Sequence, residues 1–252
     1  MGLFFGVQQY FKRKGIRIVA LKKIVKKLLH CLFAERSLRQ RSLYVRDSYS
    51  QEGEDLLLLE MLENMQSGFY IDIGAHHPTR FSNTALFYEL GWRGVNIEAS
   101  PDLIEEFHQK RKEDINLCTG VGLYTGTMPF YVFDEQGLNT FDSQRKDYII
   151  SLKSYNLLKT INIPIDTLKN ILDSTIDSLQ HIDLLMIDVE GLDLSVLQSN
   201  DWDIYRPTIV MVEQYLEGLR ESVDHPIVLF MESKGYKYVS KTYRNLIFKV
   251  ES

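Results

Sequence analysis

Two short apolar runs with acidic residues at their ends constrain the fold of this chain more than any other feature. The first run, 68–73, contains Asp72 and leads into the turn Gly74-Ala75. The second run, 94–97, is followed at once by Glu98. In nucleotide-binding α/β folds, a glycine after one strand lets the backbone approach the ligand, and an acid after the next accepts hydrogen bonds from a ribose. The pair predicts a site for a cofactor that contains adenosine.

The rest of the chain alternates predicted strands with predicted helices. We expect helices at 56–65, 82–90, 102–112, 166–179, 192–198 and 226–233, and further strands at 116–119, 182–187 and 208–213. The stretch 127–165, with strand-like segments at 128–133 and 162–165, breaks this alternation. Alternation of this kind implies a doubly wound, mainly parallel sheet.

The last two predicted strands, 236–240 and 245–250, are separated by a connection of only four residues, 241–244. A parallel crossover needs about a dozen residues or more, so these strands must pair antiparallel as a hairpin. Dehydrogenase Rossmann domains are normally all parallel, whereas a terminal hairpin favours the Rossmann-like sheet of class I methyltransferases. The predicted fold class is therefore α/β, with a doubly wound, mainly parallel seven-stranded sheet and an antiparallel hairpin at its C-terminal edge.

Charge is divided unevenly along the chain, although its net value is only −5. Residues 1–46 contain twelve Lys or Arg and one acid, Glu35, whereas the remainder contains seventeen bases and thirty-three acids. We therefore expect two parts, a basic extension with a linker at 1–46 and a globular domain at 47–252. The acidity of the domain argues against nucleic acid as its substrate, because phosphates favour a basic surface.

Residues 15–33 of the extension are predicted to form an amphipathic helix with lysines beside an apolar stripe. The stripe consists of Ile18, Leu21, Val25, Leu28 and Leu32. Such a helix suits an anionic membrane surface, and it equally suits docking on a protein. No run is long enough to span a bilayer, no signal peptide is evident, and the two cysteines, Cys31 and Cys118, form no disulfide framework. We expect a cytoplasmic protein, with a peripheral position at the inner face of the membrane as an alternative.

Four acids end predicted strands: Asp72, Glu98, Asp188 and Glu213. Ligands of an open parallel sheet lie beyond the carboxyl ends of its strands, so these acids are expected at one site. The loop at 74–80 has one glycine, whereas the dinucleotide-binding pattern G-x-G-x-x-G has three. This difference argues against a cradle for the pyrophosphate of a nicotinamide cofactor.

Five separated motifs follow one another between residues 49 and 215. They are Tyr49-Ser-Gln-Glu-Gly-Glu-Asp, Tyr70-Ile-Asp-Ile-Gly-Ala-His-His-Pro, Ser82-Asn-Thr, Gly91-Trp-Arg-Gly-Val-Asn-Ile-Glu and Ile182-Asp-Leu-Leu-Met-Ile-Asp-Val-Glu-Gly-Leu-Asp. Together they resemble the FkbM family of S-adenosylmethionine-dependent methyltransferases, which generally act on hydroxyls of sugars or polyketides. The resemblance implies a methyltransferase domain at 47–252 and S-adenosylmethionine as its cofactor.

The resemblance also implies which residues bind that cofactor. Asp72 and Gly74 match the first cofactor motif, in which the glycine admits the methionine part and the acid faces its ammonium group. Glu98 matches the acid that binds the ribose, and Gly120-Val121 would lie beside the adenine. The expected cofactor residues are Gln51, Asp72, Gly74, Ala75, Asn83, Glu98, Gly120 and Val121.

Asp188 and Glu190 match the signature after the strand at 182–187. A hydroxyl is a poor nucleophile, and a carboxylate whose pKa is raised by burial can take its proton. We expect Asp188 to be this base, with Glu190 orienting the hydroxyl or sharing the proton. Two alternatives remain: Glu190 caps the next helix, or Asp188, Glu190 and Glu213 hold a divalent metal. His76 is a third catalytic candidate, as an acid–base group.

The leading hypothesis is an O-methyltransferase that transfers a methyl group to a hydroxyl of a sugar, a glycan or a glycosylated small molecule. The aromatic-rich stretch 127–165 is the expected place for acceptor selection, although its aromatic residues would serve equally as core. One alternative is a nicotinamide-dependent reductase on a Rossmann-like sheet. Another is a non-catalytic adaptor whose basic helix attaches it to a membrane-bound assembly.

Overall fold

The computed structural model describes residues 45–251, and the predicted helix at 15–33 lies outside the described residues. The described strands are β1 (Phe69–Ile73), β2 (Arg93–Glu98), β3 (Ile115–Cys118), β4 (Gly120–Val121), β5 (Gly126–Phe133), β6 (Leu157–Asp166), β7 (Leu184–Ile187), β8 (Ile209–Glu213), β9 (Tyr236–Lys241) and β10 (Asn245–Val250). The described helices are α1 (Glu54–Met61), α2 (Ala85–Glu89), α3 (Pro101–Lys110), α4 (Ser143–Ser151), α5 (Leu168–Thr175), α6 (Asp193–Gln198), α7 (Leu219–Val223) and α8 (Pro226–Ser233), with a short 3-10 helix at Gln136–Leu138.

Seven strands form the main sheet in the order β3-β2-β1-β7-β8-β10-β9. The five strands from β3 to β8 run parallel to one another. β10 runs antiparallel to both β8 and β9, so the edge strand β9 again has the direction of the parallel strands. The predicted fold class is confirmed. The winding reverses between β1 and β7, which is where an open sheet of this type binds its ligand.

The main sheet is apolar on both faces. Alternate residues of a strand point to opposite faces, and in β1 this places Ile71 and Ile73 in one buried cluster and Tyr70 in another. The first cluster also contains Trp202 and the second contains Trp92, both buried. Because both faces of the sheet are covered, a ligand can reach the strands only at their ends, and in sheets of this type it binds at the carboxyl ends.

A second, three-stranded sheet in the order β4-β6-β5 interrupts the alternation of strands and helices. β5 and β6 correspond to the predicted strand-like segments, and both are longer than expected. Gly120 and Val121, which lie outside the strands predicted from the sequence, pair with Ile165 and Asp166 of β6. Gly120 permits this close approach, because a Cβ there would lie 2.6 Å from the ring of Phe141 and 2.8 Å from the side chain of Ile165.

Helix α4 was not predicted, because it has no apolar stripe and Ile149 is its one buried residue. It begins after Asp142, whose side chain accepts a hydrogen bond from the backbone N–H of Gln144. The other helices are mostly shorter than predicted; α1, for example, ends before Glu63 and Asn64, which both have a φ of +55°. None of the helices within 45–251 combines the length and the apolar character that crossing a membrane requires.

Candidate active site

A cleft of about 350 Å³ lies at the carboxyl ends of β1, β2, β7 and β8. This volume falls in the range of small-molecule and cofactor sites. The eleven residues to which the sequence and the family resemblance assign a catalytic or cofactor-binding role all line this one cleft. They are Gln51, Asp72, Gly74, Ala75, His76, Asn83, Glu98, Gly120, Val121, Asp188 and Glu190.

Gly74 fixes the floor of the cleft. Its φ is +78°, and a Cβ at this position would overlap the carbonyl oxygen of Asp188. Its backbone N–H donates to the carbonyl of Ile97 at 2.9 Å, while the N–H of Asp188 donates to the carbonyl of Ile73 at 2.9 Å. The turn therefore joins the ends of three strands, and its conformation and packing require glycine.

Glu98 is a buried carboxyl held by backbone donors. Its two oxygens accept hydrogen bonds from the N–H groups of Ser100 at 2.7 Å and His76 at 2.9 Å. Burial, partly offset by these two hydrogen bonds, raises the pKa of Glu98 to about 7. The carboxyl therefore changes between its ionised and protonated forms near neutral pH, and it lines the cleft.

Asp72 is held by a buried network that the sequence did not indicate. Its Oδ2 accepts from the hydroxyl of Thr84 at 2.6 Å, and burial raises the pKa of Asp72. Thr84 in turn accepts from Nη1 of Arg111 at 2.7 Å. The other terminal nitrogen of Arg111 donates to Ser82 at 2.8 Å and to the carbonyl of Pro78 at 2.6 Å. One guanidinium therefore orders the loop that follows Gly74.

Arg111 is only 1% exposed, so its charge must be satisfied inside the protein. Asp114 supplies the nearby negative charge and accepts from the hydroxyl of Tyr70, from the side chain of Asn96 and from a backbone N–H. Nothing in the local sequence around Arg111 distinguishes it from a surface arginine at a helix end. The motif Ser82-Asn-Thr, which supplies two of its partners, was the only signal that could have indicated the network.

Asp188 lies at the centre of the cleft, directly after β7. Its Oδ1 is buried and has no hydrogen-bond donor among the described residues. Burial first, and the carboxylate of Glu213 second, raise the pKa of Asp188 well above its ordinary value. Asp188 is therefore a carboxyl with a free acceptor atom and a raised pKa, two properties that suit a candidate general base.

Glu190 forms an ion pair with Arg145 of α4. Its φ is +56°, and its carbonyl accepts from the hydroxyl of Thr140 at 3.1 Å. No side chain caps α6, so the alternative in which Glu190 caps this helix is wrong. Asp193, the first residue of α6, accepts from the N–H groups of Val189 at 3.1 Å and Gly191 at 3.2 Å in the preceding loop. Burial raises the pKa of Asp193 to about 6.

The three acids proposed as metal ligands, Asp188, Glu190 and Glu213, do come together. One carboxylate oxygen of each lies within 4.8 Å of those of the other two. Glu190 is, however, already paired with Arg145, so two carboxylates remain for a cation. Magnesium and calcium prefer about six oxygen ligands. The described residues therefore do not make up a completed cation site.

The two adjacent histidines, His76 and His77, have different contacts and therefore different roles. His76 lines the cleft, its Nε2 lies 3.4 Å from the guanidinium of Arg80, and burial and that charge lower its pKa. His77 instead accepts from the backbone N–H of Arg80 at 2.8 Å through Nδ1, and its Nε2 lies 3.2 Å from Glu106. His77 thus stabilises the loop, and His76, kept neutral, is the histidine available to a ligand.

The motif at 49–55 closes the other end of the cleft. Gln51 lines it, while Glu52 accepts from the backbone N–H groups of Tyr243 at 3.0 Å and Arg244 at 3.3 Å. Glu54, buried, accepts from the side chain of Asn245 at 2.8 Å. Glu52 and Glu54 therefore attach the start of the domain to the β9–β10 connection, which gives these two residues of the motif a structural role.

Aromatic residues of the stretch 127–165 divide between core and cleft. Phe130 and Phe141 line the cleft and pack together with ring centroids 4.7 Å apart. Phe133 is fully buried in the core, and Tyr148 is exposed on α4 outside the cleft. The expectation that this stretch contributes to the site therefore applies to two rings next to Gly120.

Comparison with known proteins decides the family. A family model described as the methyltransferase FkbM domain matches residues 72–238, which is more than half of the chain. The chain belongs to the FkbM methyltransferase family. Among curated proteins, none matches. Membership sets aside the nicotinamide-dependent reductase that the sequence alone left open.

Several solved structures are similar to this FkbM protein at low identity. An FkbM methyltransferase from Methylobacillus flagellatus is 14% identical, with a TM-score of 0.39, over 83% of this chain and 46% of that one. A TehB-like SAM-dependent methyltransferase from Corynebacterium glutamicum is 10% identical, with a TM-score of 0.38, over 88% and 99%. An O-methyltransferase from Bacillus cereus in complex with SAH is 12% identical, with a TM-score of 0.38, over 90% and 91%. The matched region spans less than half the length of the first of these.

S-adenosylmethionine, the cofactor of this family, fits the residues of the cleft. Gly74 lets the backbone after β1 pack against the carbonyl of Asp188, and both residues line the cleft. Asp72 and Glu98 add two buried carboxyls to the lining, which are acceptors of the kind that an ammonium group and ribose hydroxyls need. Val121 and Phe141 provide apolar surface of the kind that a purine packs against.

Proposed function

We propose that this FkbM protein is an O-methyltransferase that transfers the methyl group of S-adenosylmethionine to a hydroxyl of a sugar, a glycan or a glycosylated small molecule. The observation that carries the proposal is the buried Oδ1 of Asp188, which has no donor among the described residues and lines the same cleft as Gly74 and Glu98. A hydroxyl is the donor that such an atom lacks. When bound, the cofactor supplies an electrophilic methyl group.

The residues on one side of the cleft bind and orient the cofactor. Glu98 accepts from the ribose, Asp72 faces the ammonium group, and the backbone at Gly74-Ala75 approaches the methionine part. Gln51 and Asn83 lie on the same side, and Gly120-Val121 border the adenine. Holding donor and acceptor in a reactive geometry can itself lower the barrier by about 7–11 kcal/mol.

The residues on the other side of the cleft bind the acceptor and remove the proton of its hydroxyl. Asp188 accepts the hydrogen bond of the acceptor hydroxyl and then its proton, and general-base assistance of this kind contributes roughly 10²–10⁴-fold. Glu190, paired with Arg145, orients neighbouring hydroxyls, and His76, neutral at pH 7, is available as a second acid–base group. Thr140 adds a polar group to the lining, as a polyhydroxyl acceptor requires.

Methyl transfer to a hydroxyl is tested with a donor that carries a deuterated methyl group. The protein is incubated with glycan and glycoside extracts, and products are detected by mass spectrometry. Asp188→Asn should reduce the label transferred by about 10²-fold or more, while Asp203→Asn, a change at an exposed aspartate, should not. Equal labelling by the two variants would reject Asp188 as the base, and label appearing on nitrogen or carbon would reject the hydroxyl acceptor.

The basic extension at 1–46 is proposed to contact an anionic membrane surface while the domain acts in the cytoplasm. Its support is the charge of this segment, since twelve basic residues accompany one acid. Full-length protein should co-sediment with vesicles containing anionic lipid and dissociate at high salt. Equal binding to neutral vesicles would contradict the electrostatic contact and leave the proposed enzyme activity unaffected.

A further inference from the structure

The methionine part of the cofactor carries a carboxylate as well as an ammonium group, and the proposed function gives the carboxylate no partner. Asp72 is proposed to face the ammonium group, and the backbone at Gly74-Ala75 to approach the methionine part. Building on that proposed placement, we infer that Arg80 binds the carboxylate of the cofactor. The family resemblance implied no role for this arginine.

The charges of the cleft make a cationic partner necessary for a carboxylate. Three arginines line the cleft, and no lysine of the described residues does. An anion that leaves water for a cleft rich in acids loses its hydration and meets like charges, so it needs a cation beside it. The acids of the lining are Asp72, Glu98, Glu135, Asp188, Glu190 and Glu213.

Two of the three arginines are already paired with acids. Arg145 forms an ion pair with Glu190, and Nε of Arg244 lies 3.6 Å from Glu52. Arg80, in contrast, has no acid of the described residues within ion-pair distance. It is therefore the arginine of the described lining whose charge is available to a ligand.

Two acids lie close enough to the loop of Arg80 to act on the charge of His76. They are Glu106 and Glu135, and neither is within ion-pair distance of Arg80. Glu106 is paired with Lys110 at 2.8 Å. The position of Arg80 beside these acids therefore does not satisfy its guanidinium.

The side chain of Arg80 has donors to spare. One terminal nitrogen lies 3.4 Å from Nε2 of His76. A guanidinium has only donors, so the histidine nitrogen is the acceptor of this contact. The other N–H groups of the side chain have no acceptor among the described residues. A carboxylate accepts two such N–H groups in parallel, which is the geometry that arginine is shaped to offer.

The loop holds Arg80 in place before a ligand arrives. The backbone N–H of Arg80 donates to Nδ1 of His77 at 2.8 Å, and Arg111 holds Pro78 and Ser82 on either side. This loop is the one that follows Gly74-Ala75, where the methionine part is proposed to lie. A guanidinium fixed there loses little freedom when it binds.

The backbone near Arg80 is strained in a way that is typical of ligand sites. Phe81, next to it, has a φ of +55°, and so does His76. Phe81 is nevertheless 54% exposed and lines the cleft, and the guanidinium of Arg80 lies 5.6 Å from the centre of its ring. Left-handed residues other than glycine persist where the surrounding structure holds them, and they concentrate at binding sites.

Two ligands test the inference by calorimetry, without an acceptor. They are S-adenosylhomocysteine and its decarboxylated analogue, which keeps the ammonium group. The ratio of the two affinities measures the contact, because the rest of the cleft acts on both ligands. In Arg80→Gln the preference for S-adenosylhomocysteine should fall about tenfold or more, as expected for the loss of a charge-assisted pair. In Arg80→Glu the preference should fall further.

Arg220→Gln is the matched control, since Arg220 is exposed and lies outside the cleft. It should leave the ratio unchanged. Arg80 is exposed as well, so its variants should keep the melting temperature of the wild type. An unchanged ratio in Arg80→Gln and Arg80→Glu would overturn the inference. Equal weakening of both ligands would assign Arg80 a structural role in the loop and would overturn it too.

Failure of the proposed function is distinguishable from failure of this inference. If the acceptor is not a hydroxyl, the ratio still falls in the Arg80 variants, but no methyl group is transferred to any hydroxyl. If the wild-type protein binds neither ligand, the proposed cofactor placement is wrong, and the inference that rests on it is wrong as well.

Discussion

The carbonyl oxygen of Asp188 occupies the space that a side chain at Gly74 would need. One residue therefore positions both halves of the cleft, because the backbone proposed to meet the cofactor packs directly on the backbone that carries the proposed base. The winding of the sheet reverses between β1 and β7, and ligands of an open sheet lie outside the carboxyl ends of its strands at that point.

Gly74→Ala should destabilise the fold and abolish cofactor binding. The added Cβ would overlap Asp188 and force an alanine into a φ of +78°, so we expect a loss of about 3 kcal/mol or more in the free energy of unfolding. The matched control is Gly91→Ala, since Gly91 has a φ of +98° with open space around it. It should cost about 1 kcal/mol and retain binding. Equal urea midpoints for the two variants would show that the overlap is relieved without cost.

Cofactor affinity should rise with pH through neutrality. Glu98 has a pKa of about 7 in the free protein, and a ribose hydroxyl donates better to its ionised form. Binding of S-adenosylhomocysteine should be about tenfold weaker at pH 6 than at pH 8, because about one carboxyl in ten is ionised at the lower pH. Calorimetry should show this dependence flattened in Glu98→Gln. An unchanged slope in the variant would assign the dependence to another group.

Arg111→Met should damage the cofactor site from a distance. The change leaves Asp114 buried without its cationic neighbour and releases the loop held through Pro78, Ser82 and Thr84. Breaking a buried charge network of this kind costs about 3–5 kcal/mol. Lys110→Ala, next to it in the chain, removes only an exposed ion pair with Glu106 and should change stability by less than 1 kcal/mol. Similar melting temperatures for both variants would refute the structural role of Arg111.

Asp188→Asn should stabilise the free protein at alkaline pH while it reduces methyl transfer. The pKa of Asp188 is raised in the folded state, so its contribution to stability is present at low pH and is lost as pH rises through the folded-state value. The asparagine carries no such penalty, so we expect the variant to be more stable than wild type at pH 8 and little changed at pH 4. Thermal unfolding at the two pH values measures this. A variant less stable than wild type at pH 8 would contradict the raised pKa.

The sequence predicted much of the fold, because its strongest signals are local. The apolar run at 68–73, the glycine at 74 and the four-residue connection at 241–244 each restrict the backbone within a few residues. Together they were sufficient for a parallel sheet with a terminal hairpin. The second sheet was missed in part, because β4 has two residues and depends on pairing with β6, about forty residues later along the chain.

The sequence predicted the residues of the cleft lining that end a strand. It did not predict the side chains that form hydrogen bonds or ion pairs with the residues of the cleft. The bond from Arg111 to Thr84 spans 27 residues, and the ion pair of Arg145 with Glu190 spans 45. Tertiary packing determines these partners, and no periodic pattern in the sequence indicates them. The proximity of Asp188 to Glu213 likewise depends on strand order, which places β7 beside β8.

Calorimetric titration with S-adenosylhomocysteine tests the central claim most directly, namely that the cleft at the ends of β1 and β2 holds the cofactor through Glu98. Wild-type protein should bind one equivalent at micromolar concentration. Glu98→Ala should lose most of that affinity, and Glu105→Ala, a change at an exposed residue of α3, should lose none. Absence of heat with the wild type, or equal affinity for the two variants, would contradict the account.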